Sequence, residues 1–332
     1  MKALITGING QDGAFLAKHL QGKGYDVIGI TRKNTATDNL DYVQAKPRFY
    51  YGDISEPDFV TYVIGVERPA EIYNLAAQSH VGQSFRNPTT TMAVNYGGLV
   101  NIINSVKRIK PNTRIYQAGT SEMFGGENKQ VFDESSKFLP KSPYAIAKLA
   151  AHYAGLNARK EGIWVSNGIL FNHESPIRGH DFVTRKITLA IARGDKLRLG
   201  NIHAARDWGY AGDYVKAMHH MLQLDRPDDF VIATNETHTV KEFITRAFAT
   251  IGKEITYEGH AEHEVGIVDG KVVMQVDPKF YRPNDVNYLQ GDFSYAKACL
   301  QWRPTTTFAG LVEMMMREDM RRHGNQRITV AA

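Results

Sequence analysis

The chain has 332 residues, is 42% hydrophobic and 23% charged, and contains one cysteine, Cys299; it can bury a sizeable core in one large or two unequal domains, and it excludes a disulfide framework or thiolate metal cluster. The net charge of +5 favours an anionic partner, but the Lys and Arg residues are spread out and not interleaved with aromatics, which points away from nucleic acid and towards a phosphorylated small molecule. No apolar run reaches the length of a membrane span and the start carries no cleavable leader, so the expectation is a soluble cytoplasmic protein with no membrane partner.

The first half alternates strands and helices. "KALITGI" reads as a strand and "GAFLAKHLQGKG" as an amphipathic helix stopped by glycine. "DVIGITR", "RFYYGD" and "EIYNLAA" are further strands. "VNYGGLVNIINSVKRI" is a helix, "RIYQAG" a strand, "PYAIAKLAAHYAGLNARKEG" a long helix and "IWVSNGILFN" a strand. This rhythm predicts a Rossmann-type α/β fold, a doubly wound parallel sheet covered on both faces. After residue 172 it breaks. A polar loop and helix follow, then the helix "DYVKAMHHMLQ", the strand "FVIATN" and the helix "VKEFITRAFATIG". "GHAEHEVGIVDGKV" reads as a loop, and the chain ends in loop and helix. The expected division is a cofactor domain of residues 1–172 with about 206–240, and a smaller discontinuous α/β substrate domain of about 173–205 with 241–332.

Three patterns carry chemistry. "GINGQDG" places Gly7, Gly10 and Gly13 between a strand and a helix, where the backbone turns tightly and approaches a pyrophosphate at the helix N-terminus. The second strand ends in Thr31, Arg32 and Lys33, with no acid for a ribose hydroxyl. A cationic fork suits a 2′-phosphate and hence NADP; the bland alternative is a solvated surface pair. Asp53, ending the third strand, either reaches the adenine or caps the next helix. Tyr144 and Lys148, four apart, share a helix face; an ammonium beside a phenol favours the phenolate. Thr120, a hydroxyl at a strand end, completes a unit for taking a proton from an alcohol as its hydride leaves.

With these motifs on the page, the chain resembles the extended short-chain dehydrogenase/reductase superfamily and, within it, the GDP-mannose 4,6-dehydratase family. "ITGINGQDG", "YNLAAQSHVGQSF", "YQAGTSEMFG", "SPYAIAKL", "NGILFNHESPIRG", "LGNIHAARDWGYAGDYVKAM" and "VDPKFYRPNDVNYLQGD" match its segments in order along nearly the whole chain. The resemblance implies catalytic Thr120, Glu122, Tyr144 and Lys148. It implies NADP contacts at Gly7, Asn9, Gly10, Gln11, Asp12, Gly13, Arg32, Asp53, Ile54, Leu75, Ala76, Ala77, Ser79, His173 and Arg178, besides Tyr144 and Lys148. Nucleotide-sugar contacts fall on Ser79, Glu122, Asn172, Val183, Lys186, Arg206, Arg282 and Asp285.

The implied substrate is a GDP-sugar, with GDP-mannose first. The expected assembly is a homodimer, paired across a two-fold axis through the helix after "VNYGG" and the helix carrying Tyr144, a tetramer being possible. Alternatives are a dehydratase of a related GDP-sugar such as a manno-heptose, or a nucleotide-sugar 4-epimerase. The chain departs from the family in "KNTATDNLDYVQAK", which lacks an Arg- and Ser-rich segment, at Asp285 where Glu is usual, and at Asn95 where Asp is frequent.

Glu122 is either a turn cap or the acid–base group that selects dehydration over epimerisation. No metal is expected: "HAEHEV" reads as a solvated charge run, "MMMRED" as core packing, and Cys299 as a buried small hydrophobe.

Overall fold

Neighbouring apolar residues in three short strands face opposite ways. Leu4 and Ile5, Ile72 and Tyr73, and Ile115 and Tyr116 are each divided between two separate buried clusters. Successive strand residues point to opposite faces, so a sheet built from them must be covered on both sides. The computed structural model describes residues 1–33, 35–126, 130–280 and 286–324. Its main sheet has seven strands: β1 (Lys2–Thr6), β2 (Asp26–Thr31), β3 (Arg48–Tyr51), β4 (Glu71–Asn74), β5 (Arg114–Ala118), β6 (Val165–Leu170) and β7 (Asp229–Ile232). Their order is β7-β6-β5-β4-β1-β2-β3, and every pairing is parallel. The Rossmann-type fold expected from the sequence is the one observed.

One face is covered by α1 (Gln11–Gly22), whose Ala14, Leu16, Ala17 and Leu20 are buried. The other face carries α2 (Pro57–Glu67), α3 (Gly98–Ile109) and α4 (Pro143–Lys160). The sequence reading passed over α2, which has Pro57 at its first turn. Strand order reverses between β1 and β4, so a crevice opens there beyond the carboxyl ends of the strands.

A second core gathers α5 (Val183–Arg193), α7 (Val240–Thr250) and α8 (Phe308–His323), while α6 (Ala211–Met221) returns to the face of α1. Met315 and Met316 are buried in this second core, as expected. Cys299 is not the buried hydrophobe expected; it is exposed on the outer side of a short helix, Ser294–Leu300. The expected loop at 259–272 contains a hairpin of Val265–Val268 with Lys271–Val276. Its turn, Asp269 and Gly270, has positive φ at both residues, the Asp-Gly signature of a tight hairpin. "HAEHEV" is also only half solvated: Glu264 is buried and accepts from Lys241 at 2.6 Å and His203 at 2.7 Å. Among the described residues, no helix is long and apolar enough to cross a membrane and no group of side chains could hold a metal.

Candidate active site

The strand ends at the crevice are locked by a row of side chains. Thr6 donates to Asn74 at 2.7 Å and Asn74 donates to Gln117 at 2.7 Å, while the Thr6 hydroxyl accepts from the amides of Leu75 and Ala76. The glycine loop rests against this row. A Cβ at Gly7 would lie 2.8 Å from Cα of Ala76, and one at Gly13 would lie 2.5 Å from Cα of Ile8 and 2.6 Å from the Gly7 carbonyl. Only glycine permits this approach, and it leaves the start of α1 open to a cleft of about 640 Å³.

Gly7, Asn9, Gly10, Gln11, Asp12 and Gly13 line that cleft on one side, and Asp53, Ile54, Leu75, Ala76, Ala77 and Ser79 on the other. Arg32 lines it just past the end of β2, beside the exposed Lys33. The cradle that a Cβ would fill and the open helix N-terminus fit a dinucleotide. Asp53 does not cap the following helix; its Oδ1 accepts from the amide and hydroxyl of Ser55, which turns the chain within the cleft wall.

The turn after β5 explains why an acid sits beside two apolar residues. Gly119 donates to the carbonyl of Gly168 at 2.7 Å. The Thr120 hydroxyl then accepts from the amide of Glu122 at 3.3 Å and caps a 3₁₀ turn, Ser121–Phe124. The cap is therefore Thr120. Met123 and Phe124 plunge into the core, Phe124 stacking on Phe132 and Phe138. They anchor the turn and leave Glu122 in the wall of a second cleft, of about 270 Å³. Helix α4 enters the same wall. Ser142 accepts from the Ala145 amide at 3.1 Å, and Pro143 occupies the first turn. One turn apart on its face, Tyr144 and Lys148 line the cleft with Thr120 and Glu122.

Electrostatics in the site differ from the sequence expectation. Burial pushes the Tyr144 phenol up to about 12; the Thr120 hydroxyl and Arg178 pull it down, and Glu122 and Asp12 add to the rise. Burial likewise pulls the Lys148 ammonium down to about 8, against the field of Asp12. Lys148 does not bring the phenol down here, because desolvation disfavours both charged forms.

The clefts meet at Asp12 and the segment after β6. His173 bonds Asp12 at 2.8 Å, and Arg178 pairs with Glu174 at 3.0 Å while its guanidinium lies 3.6 Å above the Phe182 ring. Burial alone would raise Asp12, but His173 and Arg178 hold it below the usual carboxylate range. Ser79, Asn172, Val183 and Arg206 line the smaller cleft. Lys186 is not in its wall; its ammonium lies 5.8 Å from the ring of Phe280, which is. Arg282 and Asp285 lie outside the described residues. The sequence reading missed His80, Asp181, Phe182 and Trp208 in this wall. Arg178 and Phe182, four apart, carried a readable cation–aromatic signal; the others had none.

A family model described as GDP-mannose 4,6 dehydratase matches residues 4–315. The chain belongs to this family. It is 44% identical over 338 residues to the human GDP-mannose 4,6 dehydratase, covering 96% of this chain and 91% of that one. It is 43% identical over 338 residues to the Drosophila melanogaster protein of that name, covering 96% and 86%. Among solved structures it superposes on a Streptomyces venezuelae dTDP-glucose 4,6-dehydratase with bound NAD, with a TM-score of 0.84, 22% identity and 98% coverage of both chains. At that identity the likeness concerns the fold.

Two of the departures expected from the sequence have structural consequences. Residues 35–39 fold back on the glycine loop: Asn9 donates to the carbonyl of Ala36 at 3.0 Å, and Asn39 donates to the carbonyl of Asn9 at 2.9 Å. Asn95 is buried and bonds Gln78 twice, accepting from its amide at 2.8 Å and donating to its carbonyl at 3.1 Å. This holds the wall formed by Leu75, Ala76, Ala77 and Ser79 with both ends of one amide.

Proposed function

We propose that the protein dehydrates GDP-mannose to GDP-4-keto-6-deoxy-mannose with NADP that is recycled within the site. The observation that carries this reading is the presence of Glu122 in one cleft wall with Thr120, Tyr144 and Lys148, in a chain of this family. Three of these suit oxidation of an alcohol; the carboxylate is what an elimination adds.

The glycine loop, Asp53, Ile54 and the wall from Leu75 to Ser79 would hold NADP, with Arg32 meeting the 2′-phosphate and His173 and Arg178 the far end. Bound there, NADP would supply reversible hydride exchange with the sugar. Tyr144 takes the C4 hydroxyl proton, while Thr120 bonds the same oxygen. The resulting ketone acidifies the neighbouring C5 hydrogen. Glu122 takes the C5 proton and gives a proton to the departing C6 hydroxyl, which leaves as water; C6 would then regain the hydride taken from C4 and C5 a proton, which completes the 4-keto-6-deoxy sugar. Asn172 and Arg206 supply donors and charge for the diphosphate, and Arg282 is assigned to it from its motif.

Arg32 replacing an acid at the end of β2 is the ground for NADP over NAD. A cytoplasmic setting agrees with one free cysteine. We read the assembly as a homodimer: Tyr96, Ile146 and Tyr153 expose large apolar surface on the turn before α3 and on α4. Sedimentation at micromolar concentration tests this, and a monomer refutes it.

Incubation with GDP-mannose and other GDP-sugars, read by mass spectrometry, tests the reaction. Loss of one water from GDP-mannose is expected. A product of unchanged mass and inverted C4 would make the protein an epimerase, and water loss confined to another GDP-sugar would move the substrate.

A further inference from the structure

His173 presents a proton-counting problem. Its Nδ1 lies 2.7 Å from the carbonyl oxygen of Phe171, and its Nε2 lies 2.8 Å from Oδ2 of Asp12. A carbonyl and a carboxylate only accept. A neutral imidazole owns one N–H, so either tautomer points one nitrogen lone pair at an oxygen lone pair within hydrogen-bond distance. Turning the ring over puts carbon against both acceptors. One additional proton, on the ring or on Asp12, removes the conflict.

The ring cannot relax away from this geometry. It is buried and stacks on Tyr214 with centroids 4.6 Å apart. The carbonyl of His173 accepts from the Gln11 amide nitrogen at 3.0 Å, and the Gln11 oxygen accepts from Ser175 at 2.7 Å. Consecutive residues of α1 thus grip both ends of His173.

We propose that Asp12 and His173 share one extra proton at working pH, and that this net-neutral pair is a positioning device. It ties the start of α1 to the strand Asn172–Glu174 across the floor of the two clefts. It also keeps the charge of Asp12 from acting in full on Tyr144 and Lys148. The second role rests on the reading of those two residues as the alcohol-oxidising pair; the proton count does not.

The surroundings fit. Asp12 faces Tyr144 and Lys148 from α4, Tyr116 from β5, Arg178 from the segment after β6, and Gln11 on its own helix. Tyr214 faces the ring from α6, with Asp207, Asp213 and Glu174 around it. Burial would lower His173, but Asp12 raises it above its ordinary value despite Arg178. A charge-assisted bond of 2.8 Å between a buried ring and a half-buried carboxylate is strong enough to retain a proton above the usual histidine range.

The proton count is tested on ligand-free protein with labelled histidine by nitrogen-15 NMR at pH about 7.5, a unit above the ordinary histidine pKa of about 6.5. His173→Gln assigns the signal. The expected result is protonation of both ring nitrogens, or of Nδ1 alone together with an infrared band of a protonated carboxyl that Asp12→Asn removes. A neutral ring beside an ionised Asp12 overturns the proposal. Asp12→Asn is the second reporter: it should return His173 to a neutral ring, and an imidazolium that persists refutes the sharing. These readouts need no turnover, so they stand or fall separately from the dehydratase reading.

The screening role is tested by kcat/KM against pH. His173→Gln should raise the kinetic pKa assigned to Tyr144 by about one unit, a roughly tenfold loss below it, and Asp12→Asn in the same chain should bring it back. A double variant that keeps the profile of His173→Gln removes that role.

Discussion

The ammonium of Lys148 donates to the carbonyl of Ala118 at 2.9 Å, joining the helix that carries Tyr144 to the last residue of β5. Burial holds Lys148 near pH 8 in the folded protein, below its ordinary 10.5. The unfolded chain therefore keeps a proton that the folded protein releases between those values. Stability rises with pH across that window, and the penalty is full below it. The window corresponds to about 3 kcal/mol, and the carbonyl left unpaired by Lys148→Met offsets about 1–3 kcal/mol of the relief. Lys148→Met should thus be close to neutral for stability at pH about 7, while the parent gains on it from pH 8 upwards. Urea melts at several pH values check this; a constant difference would contradict the buried-ammonium account. Activity should fall about 10²–10⁴-fold.

Glu122→Gln keeps size and hydrogen bonding and removes the base. Oxidation at C4 depends on Thr120, Tyr144 and Lys148 and should survive. Elimination should fall by about 10²–10⁴-fold, towards the upper end, since one group serves two linked steps. The variant should accumulate enzyme-bound reduced cofactor with GDP-mannose and exchange little deuterium at C5 from heavy water. Tyr144→Phe should block the first step as well. Product formed by Glu122→Gln at near the parent rate would make Glu122 a bystander.

Arg32→Asp should narrow or reverse the cofactor preference. Loss of a hydrogen bond to a charged group is worth about 1.5–3 kcal/mol, roughly a 10–100-fold weakening of NADP binding with little effect on NAD. Titration calorimetry with both cofactors measures it, and unchanged affinities would place the 2′-phosphate elsewhere.

Two glycines on α1 should respond in opposite directions. A Cβ at Gly13 meets backbone atoms of Ile8 and Gly7 at 2.5–2.7 Å, which cannot swing aside, whereas a Cβ at Gly22 meets nothing within 4 Å. Gly13→Ala should cost about 1–3 kcal/mol and cripple cofactor binding. Gly22→Ala should be neutral to stabilising by up to about 1 kcal/mol, with activity intact. Thermal melts and cofactor titration distinguish them.

The sequence alone determined the sheet and the chemistry at its edge. Continuous apolar strands such as "KALITGI" bury on both faces, and that pattern is local, so all seven parallel strands were legible. The Tyr144–Lys148 spacing and the Gly7–Gly13 loop are likewise contained in a single turn or helix. What spans distance was not legible. Tyr144 looked activated because Lys148 is its neighbour along the helix; the fold buries both, and desolvation is a property of the whole packed site. Glu264 looked solvated in "HAEHEV" until α7 brought Lys241 to it. Asp12 and His173 stand 161 residues apart. No local pattern joins them, because their contact exists only once α1 and the strand after β6 close on the same crevice.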